Sequence, residues 1–469
     1  MGFISALKRW VSRLFSKKTI EQAVGVPVLA TQEQLDEFAL WKKCYIGEAK
    51  WNNDDTPSLN IARTICSETA RNVTIELESE LQGNDYLNEQ YQRVIEELRG
   101  IVEKAAAMGE VVLRPFENNG KILVTAADRL SYYPVRYDVQ GELESAVFIE
   151  RQREGKAYYT LLTLCDWSEG VYTVENTAYK STSADRLGSK VSLESVKAWE
   201  WMEPSTVWRT TRPWFVPLAA PNAEAVFSAA VELIRLADEQ DARITWENEA
   251  GEMAIDASSD MFRVTGTMNA LNPKQSMTRL ELPKGKERLY RTNQMSGEHF
   301  NGMQAWTPEL RIEPLAKRLE MIKKQIETVA GLSYGMLSEA QSVEKTATEI
   351  KHGRQRFYVL VSSLQKAAQT ALESLAAVMG EIAIAHGLDG KYSEVTFHWG
   401  DSVLTTESER QEEFDKRMQL MQRLQGIGVV GAAETRAALA EFSDFFHLIT
   451  PEMVAESAAA LPEAPGGEF

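Results

Sequence analysis

From Pro314 to Ile382 helical apolar spacing dominates the chain with one interruption, and this stretch constrains the fold more than any other. Leu315, Leu319, Ile322, Ile326 and Val329 recur in a strict 4-3-4-3 pattern, a narrow seam suited to packing against other helices. Pro314 sits where the first helical turn tolerates proline, and Gly331 suits the left-handed cap that stops the helix. The following residues are polar until Thr346-Ala347-Thr348-Glu349, a capping box that opens another helix. That helix carries Phe357, Leu360, Leu364, Leu372, Leu375 and Ile382 as far as Gly387. Upstream, Val226, Ala230, Leu233, Ile234, Ala237 and Ile244 mark a further long helix to about residue 248, with Glu232, Asp238, Glu239 and Asp241 on its polar side. Two long helices therefore bracket residues 249–310, which hold short strand-like pieces and turn residues.

The first half of the chain reads as mixed α+β. Spacing is helical from Gln32 to about Arg71, alternates over Val73 to Leu77, and is helical again from Tyr91 to Ala107. Val111 to Leu113, Lys121 to Val124, Ala146 to Ile149, Tyr158 to Leu164 and Val171 to Val174 then read as strands. They are separated by turns at Asn118-Asn119-Gly120, Gln140-Gly141 and Glu169-Gly170. A proline-punctuated stretch from Pro204 to Pro221 closes the region. At the start, Phe3, Ile4, Leu7, Trp10, Val11, Leu14 and Phe15 share helical spacing among Lys8, Arg9, Arg13, Lys17 and Lys18, so residues 1–18 read as a basic amphipathic helix rather than a signal peptide. Met1-Gly2 opens a myristoylation-like pattern, but Ala6 stands where Ser or Thr is required.

Two motifs imitate catalytic or cofactor sites. Gly331-Leu332-Ser333-Tyr334-Gly335 matches the nucleophile elbow of a serine hydrolase, with Asp401 and His447 following in order, but an elbow needs an entering strand and here a helix enters. Gly426-Ile427-Gly428-Val429-Val430-Gly431 matches a dinucleotide fingerprint, yet it joins a helix opened by the Thr406-x-x-Glu409 box to another helix. No phosphate loop and no His-Glu-x-x-His occurs, and the five histidines are scattered singly. The expectation is therefore no enzyme, no metal and no cofactor. Cys44, Cys66 and Cys165 lack metal-ligand spacing and suit a reducing cytoplasm.

Charge is unevenly distributed. The net charge of −17 argues against a surface wrapped around nucleic acid, yet residues 1–18 carry +5, residues 274–291 carry +4 and residues 345–356 carry +3. Each basic stretch asks for a partner or a solvated face.

A distinctive order of segments joins these features: MGFISALKRW at the start, LYRTNQMSGEHFNGMQAWTPELRIEPL before the seam helix, Ala330-Gly331-Leu332-Ser333 after it, and KTATEI at 345–350. In that order the chain resembles the portal proteins of tailed double-stranded DNA bacteriophages, closest to the siphophage branch. The small, alanine-rich tail after Ile449 departs from the pattern. The resemblance implies an α+β portal fold with an α/β wing (1–221), a two-helix stem (222–248 and 310–331) and a small α/β clip (249–309). A tunnel loop (332–346), a long kinked helix with a return strand to the wing (347–404) and a crown-like helical region (405–469) would follow.

It also implies a ring, usually of twelve subunits, at one capsid vertex, through which genomic DNA is packaged and ejected. Implied partners are duplex DNA passing non-specifically, the terminase large subunit, a head-tail connector or adaptor, the major capsid protein and a scaffolding protein. The implied location is the virion, after synthesis in the host bacterial cytoplasm. Ser338, Lys345, Lys351, Arg354 and Arg356 would line the channel constriction, and Lys284, Lys286, Arg288 and Arg291 would bind partners at the clip. An acidic conduit fits this role, because each phosphate neutralised by Lys or Arg releases counterions and strengthens binding. The competing reading is a non-enzymatic helical scaffold, or a membrane-peripheral assembly protein anchored by its basic N-terminal helix.

Overall fold

The computed structural model describes residues 15–251, 309–339 and 347–400, five strand segments between 254 and 306, and residues 416, 419 and 423. Most of the expected 1–18 helix lies outside these residues. Phe15 is buried, and Ser16 caps the first described helix, α1 (Lys17–Val24), its hydroxyl accepting the Thr19 N–H. Thr31 and Gln34 form a capping box at the start of α2 (Gln32–Ile46). The helical spacing read through Arg71 belongs to two helices, because Gly47 takes a left-handed conformation and ends α2 before α3 (Ile61–Thr74). The alternation from Val73 to Leu77 is not a strand. Val73 is buried on α3, the Thr74 hydroxyl turns back to the Ala70 carbonyl, and β1 (Leu77–Leu81) begins four residues later than expected.

Asn84 caps α4 (Asp85–Met108) through the Leu87 N–H, and Gly109 ends it at φ +79. A side chain at Gly109 would run into the Ala223 backbone, so both the torsion and the close approach require glycine. The chain then enters β2 (Glu110–Asn118) and β3 (Lys121–Asp128). Asn119 and Gly120 both have positive φ, as a two-residue hairpin turn needs to match strand twist.

An antiparallel meander follows: β4 (Tyr132–Tyr137), β5 (Leu143–Glu154), β6 (Ala157–Ser168), β7 (Val171–Ser181) and β8 (Ser189–Val191). Glu169 and Gly170 make its β6–β7 turn with positive φ. The proline-rich stretch supplies two strands that its composition hides. β9 (Ser205–Arg209) pairs with β7, and β10 (Val216–Ala219) extends the β2–β3 sheet beside β2.

The first of the bracketing helices, α5 (Val231–Ala250), starts later than expected, after a short 3-10 turn at Ser228–Ala230. Beyond it the described strands are β11 (Ala254–Ser258), β12 (Arg263–Gly266), β13 (Thr278–Glu281), β14 (Tyr290–Asn293) and β15 (Met303–Trp306). β11 pairs in parallel with β14 and antiparallel with β15, while β12 pairs with β13. The chain returns as α6 (Ile312–Val329), which packs antiparallel on α5. The long α7 (Ala347–Ala385) is a single helix of 39 residues.

α4 and α7 both pack on the β10-β2-β3 sheet, and this junction holds much of the core. Tyr132, Phe148, Phe215, Tyr172, Trp214 and Trp208 stand in successive ring contact from 5.5 to 6.3 Å apart. Glu381 on α7 accepts from the Thr211 hydroxyl and from Trp214 Nε1, and Arg212 Nε lies 3.3 Å from it. After α7, Gly390 and Gly380 approach so closely that a Cβ on either would meet the other's carbonyl oxygen. The chain then forms β16 (Val395–Trp399), antiparallel to β1, with the Ser79 hydroxyl donating to the Thr396 carbonyl.

Residues 1–399 and 400–469 are separate compact units. In the second, residues 416, 419 and 423 are helical, in line with the helix expected there. The Thr406 capping box, the Gly426 hinge, Asp401, His447 and the alanine-rich tail lie outside the described residues. Among the described residues no helix is long and apolar enough to cross a membrane.

Candidate functional site

The α5–α6 hairpin and the residues leaving α6 are the candidate site. Along α6 the apolar seam fills only partly. Leu319, Ile322 and Ile326 are buried, Leu315 is half-buried, and Val329 is exposed, so the five-residue seam is a three-residue one. Polar groups complete the contact: Gln240 Nε2 donates to the Leu315 carbonyl, and Glu247 holds Arg311 through two guanidinium contacts and the Arg311 N–H. Those hydrogen bonds keep the Glu247 carboxyl below its ordinary value. The Arg311 side chain is largely exposed, so solvent screens the pair and it carries little stability.

Asp238 departs from its expected place. Its position on the helical wheel suggested solvent, but it is 1% exposed and accepts from Trp51 Nε1, Asn52 Nδ2 and the Leu59 N–H. A loop nearly two hundred residues upstream is thereby tied to α5. Burial, reinforced by the Asp238 charge, pushes the Cys44 thiol up to about 12. All three cysteines are free and buried.

The segment after α6 is the most constrained part of the site. Gly331, at φ +71, ends the helix as expected, and the Leu332 N–H closes on the Glu327 carbonyl. Ser333 therefore follows a helix, without the entering strand an elbow needs. Glu327 is fully buried. Its Oε1 accepts the N–H groups of Gly335, Leu337 and Ser338 at 3.0, 2.7 and 2.9 Å, and its Oε2 accepts the Ser338 hydroxyl at 2.9 Å. Two helical turns earlier, Glu320 accepts the Glu339 N–H at 2.8 Å and Lys323 Nζ at 2.8 Å. Burial opposes its charge, but these hydrogen bonds and the charges of Lys323 and Lys324 outweigh it and hold the Glu320 carboxyl below its ordinary value.

The residues expected at the constriction are thus distributed unevenly. Ser338 is buried, and its hydroxyl donates to Glu327. Lys345 lies outside the described residues; Lys351 and Arg354 fall on α7 by backbone, with side chains outside the description; Arg356 is exposed on α7. Of the clip set, Arg291 lies on β14 by backbone, and Lys284, Lys286 and Arg288 lie outside the described residues. No group of side chains suited to hold a metal ion occurs among the described residues. Asp238 and Glu327 were missed from the sequence. For Glu327 a signal existed: it falls beside Ile326 on the packed arc, four residues before the capping glycine.

No family model matches the chain, and no curated protein matches it. A solved structure does: a chain of the "Virion of native gene transfer agent (GTA) particle", with TM-score 0.37 and 10% identity, covering 93% of this chain and 100% of that one.

Proposed function

We propose that the protein is a bacteriophage portal protein, the subunit of a ring-shaped channel at one capsid vertex through which duplex DNA is packaged and ejected. The observation that carries this reading is the stem hairpin and what it leaves uncovered. Trp246, Met321 and Val329 are 63%, 55% and 47% exposed on α5 and α6, though each would contribute about 1.5–3 kcal/mol if fully buried. Charge is divided between the two helices. α5 carries six acidic residues against two basic, and α6 carries three acidic against four basic. Asp241 and Glu249 on α5, like Arg318 and Lys324 on α6, form no ion pair within 4 Å among the described residues.

A second copy laying its α6 against this α5 would cover the apolar groups and match the charges. The two surfaces differ, so the contact is head to tail, and repeating it gives a ring when its rotation closes and a filament when it does not. The order of elements supports the same reading: a hairpin bracketing a small strand insert, then a loop and a long helix. The acidic surplus suits a conduit, and Arg356 could touch phosphates without reading sequence. Docking of the terminase large subunit and of a head-tail connector through Lys284, Lys286, Arg288 and Arg291 belongs to the proposal, as do contacts with the major capsid protein and a scaffolding protein. So does the lack of enzymatic activity. The similar chain noted above belongs to a virion.

Negative-stain imaging of the purified full chain tests the proposal. Rings with a central hole are expected. Monomers, or filaments that never close, would contradict it and favour the scaffold reading.

A further inference from the structure

The residues after α6 do more than cap it. The Gly331 turn and the Leu332 N–H already satisfy the helix end, yet residues 335–339 continue back along the helix. They are held first by Glu327 and then by Glu320, seven positions or about 10 Å nearer the start of α6. A buried carboxylate accepting three backbone N–H groups and a hydroxyl is an unusually complete acceptor site, since such hydrogen bonds are what make a buried charge tolerable. Gly335, at φ +88, supplies the backbone turn that aims the donors at one point.

We infer that residues 332–339 form a strap clamped by Glu327, and that the clamp sets where the segment leading to α7 departs from the stem. Glu327 is a positioning residue. It acts through the strap, and the departure point lies along the flank of α6 rather than at the helix end. The clamp stands on this geometry alone; its consequence for DNA rests on the channel reading.

Amide exchange of the full chain, followed on peptides covering 332–339, tests the clamp. The wild-type strap is expected to exchange slowly. Glu327→Leu should accelerate exchange about tenfold or more while peptides from β5 to β7 stay unchanged, because four donors lose a charged acceptor. Glu327→Gln should stay near wild type, since its amide oxygen can still accept and its nitrogen can donate to the Ser338 hydroxyl. If Glu327→Leu does not fold, Ser338→Ala takes its place, with faster exchange expected at residue 338 because Oε2 loses its donor. Open-chain exchange in the wild type, or unchanged protection in the informative variant, overturns the inference.

A capsid-packaging assay on the same variants separates the two ideas. Altered DNA retention in rings of normal size, restored by Glu327→Gln, is expected. Lost strap protection with normal packaging would leave the clamp standing and remove the channel role of the loop.

Discussion

Asp238 and Glu327, both buried, hold the ends of the stem hairpin to neighbouring segments, and neither has a cation among its hydrogen-bond partners. Asp238 gathers an indole, an amide and a backbone N–H from residues 51–59. Asp238→Ala would leave all three donors without their acceptor and cost on the order of 3 kcal/mol. The expected readout is a lower thermal midpoint together with faster amide exchange in residues 49–59; an unchanged midpoint would show that water replaces the carboxylate at no cost. Glu320 gives the strap a pH dependence. Its carboxyl lies below the ordinary 4.5 in the folded chain, so its contribution is present above that value and lost as pH falls through the lower, folded one. Exchange at Glu339, corrected for the intrinsic rate, should rise in that acidic window, and Glu320→Gln should remove the step. The role of Asp238 is not legible locally. A helical wheel sends Asp238 to solvent, and only a loop more than 170 residues away in sequence reveals otherwise.

At the scale of elements, the difference between buried and exposed seam positions makes a clean contrast. Leu319→Asp buries an unpaired charge between α5 and α6 and should destabilise the hairpin by several kcal/mol, roughly 3 or more. Val329→Asp should leave the fold intact, because the side chain is 47% exposed, and should weaken only assembly. Circular dichroism and sedimentation separate the two. If both variants unfold, the seam is read wrongly.

Element boundaries were legible at several residues that dictate a torsion, though not at Gly47, which the helical spacing from Gln32 to Arg71 runs across. Asn119-Gly120 and Glu169-Gly170 set hairpins, and Gly331 stops α6. They were illegible where pattern and packing disagree. Val73 to Leu77 alternates like a strand, but Val73 and Thr74 finish α3, because Val73 fills a helix face, and only Leu77 enters β1. β16 was expected only as the return strand that the resemblance implies, since its partner β1 lies more than 300 residues earlier and no local pattern points to it.

For the whole molecule the central claim is that the α5 surface of one copy receives the α6 surface of the next. Reversing the unpaired charges of α6 (Arg318→Glu with Lys324→Glu) puts acidic residues at all four of the positions 241, 249, 318 and 324, and reversing those of α5 (Asp241→Lys with Glu249→Lys) puts basic residues at all four. Each variant alone then sets like charges together around the ring, a repulsion that salt would partly screen. Mixed in equal amounts, the two can alternate so that every contact is again acidic against basic. Sedimentation velocity of the wild type, each variant and the equal mixture tests this most directly. Wild type and mixture should sediment as one large closed species and each variant alone as monomer. A monomeric wild type, or a mixture no faster than its components, would contradict the claim.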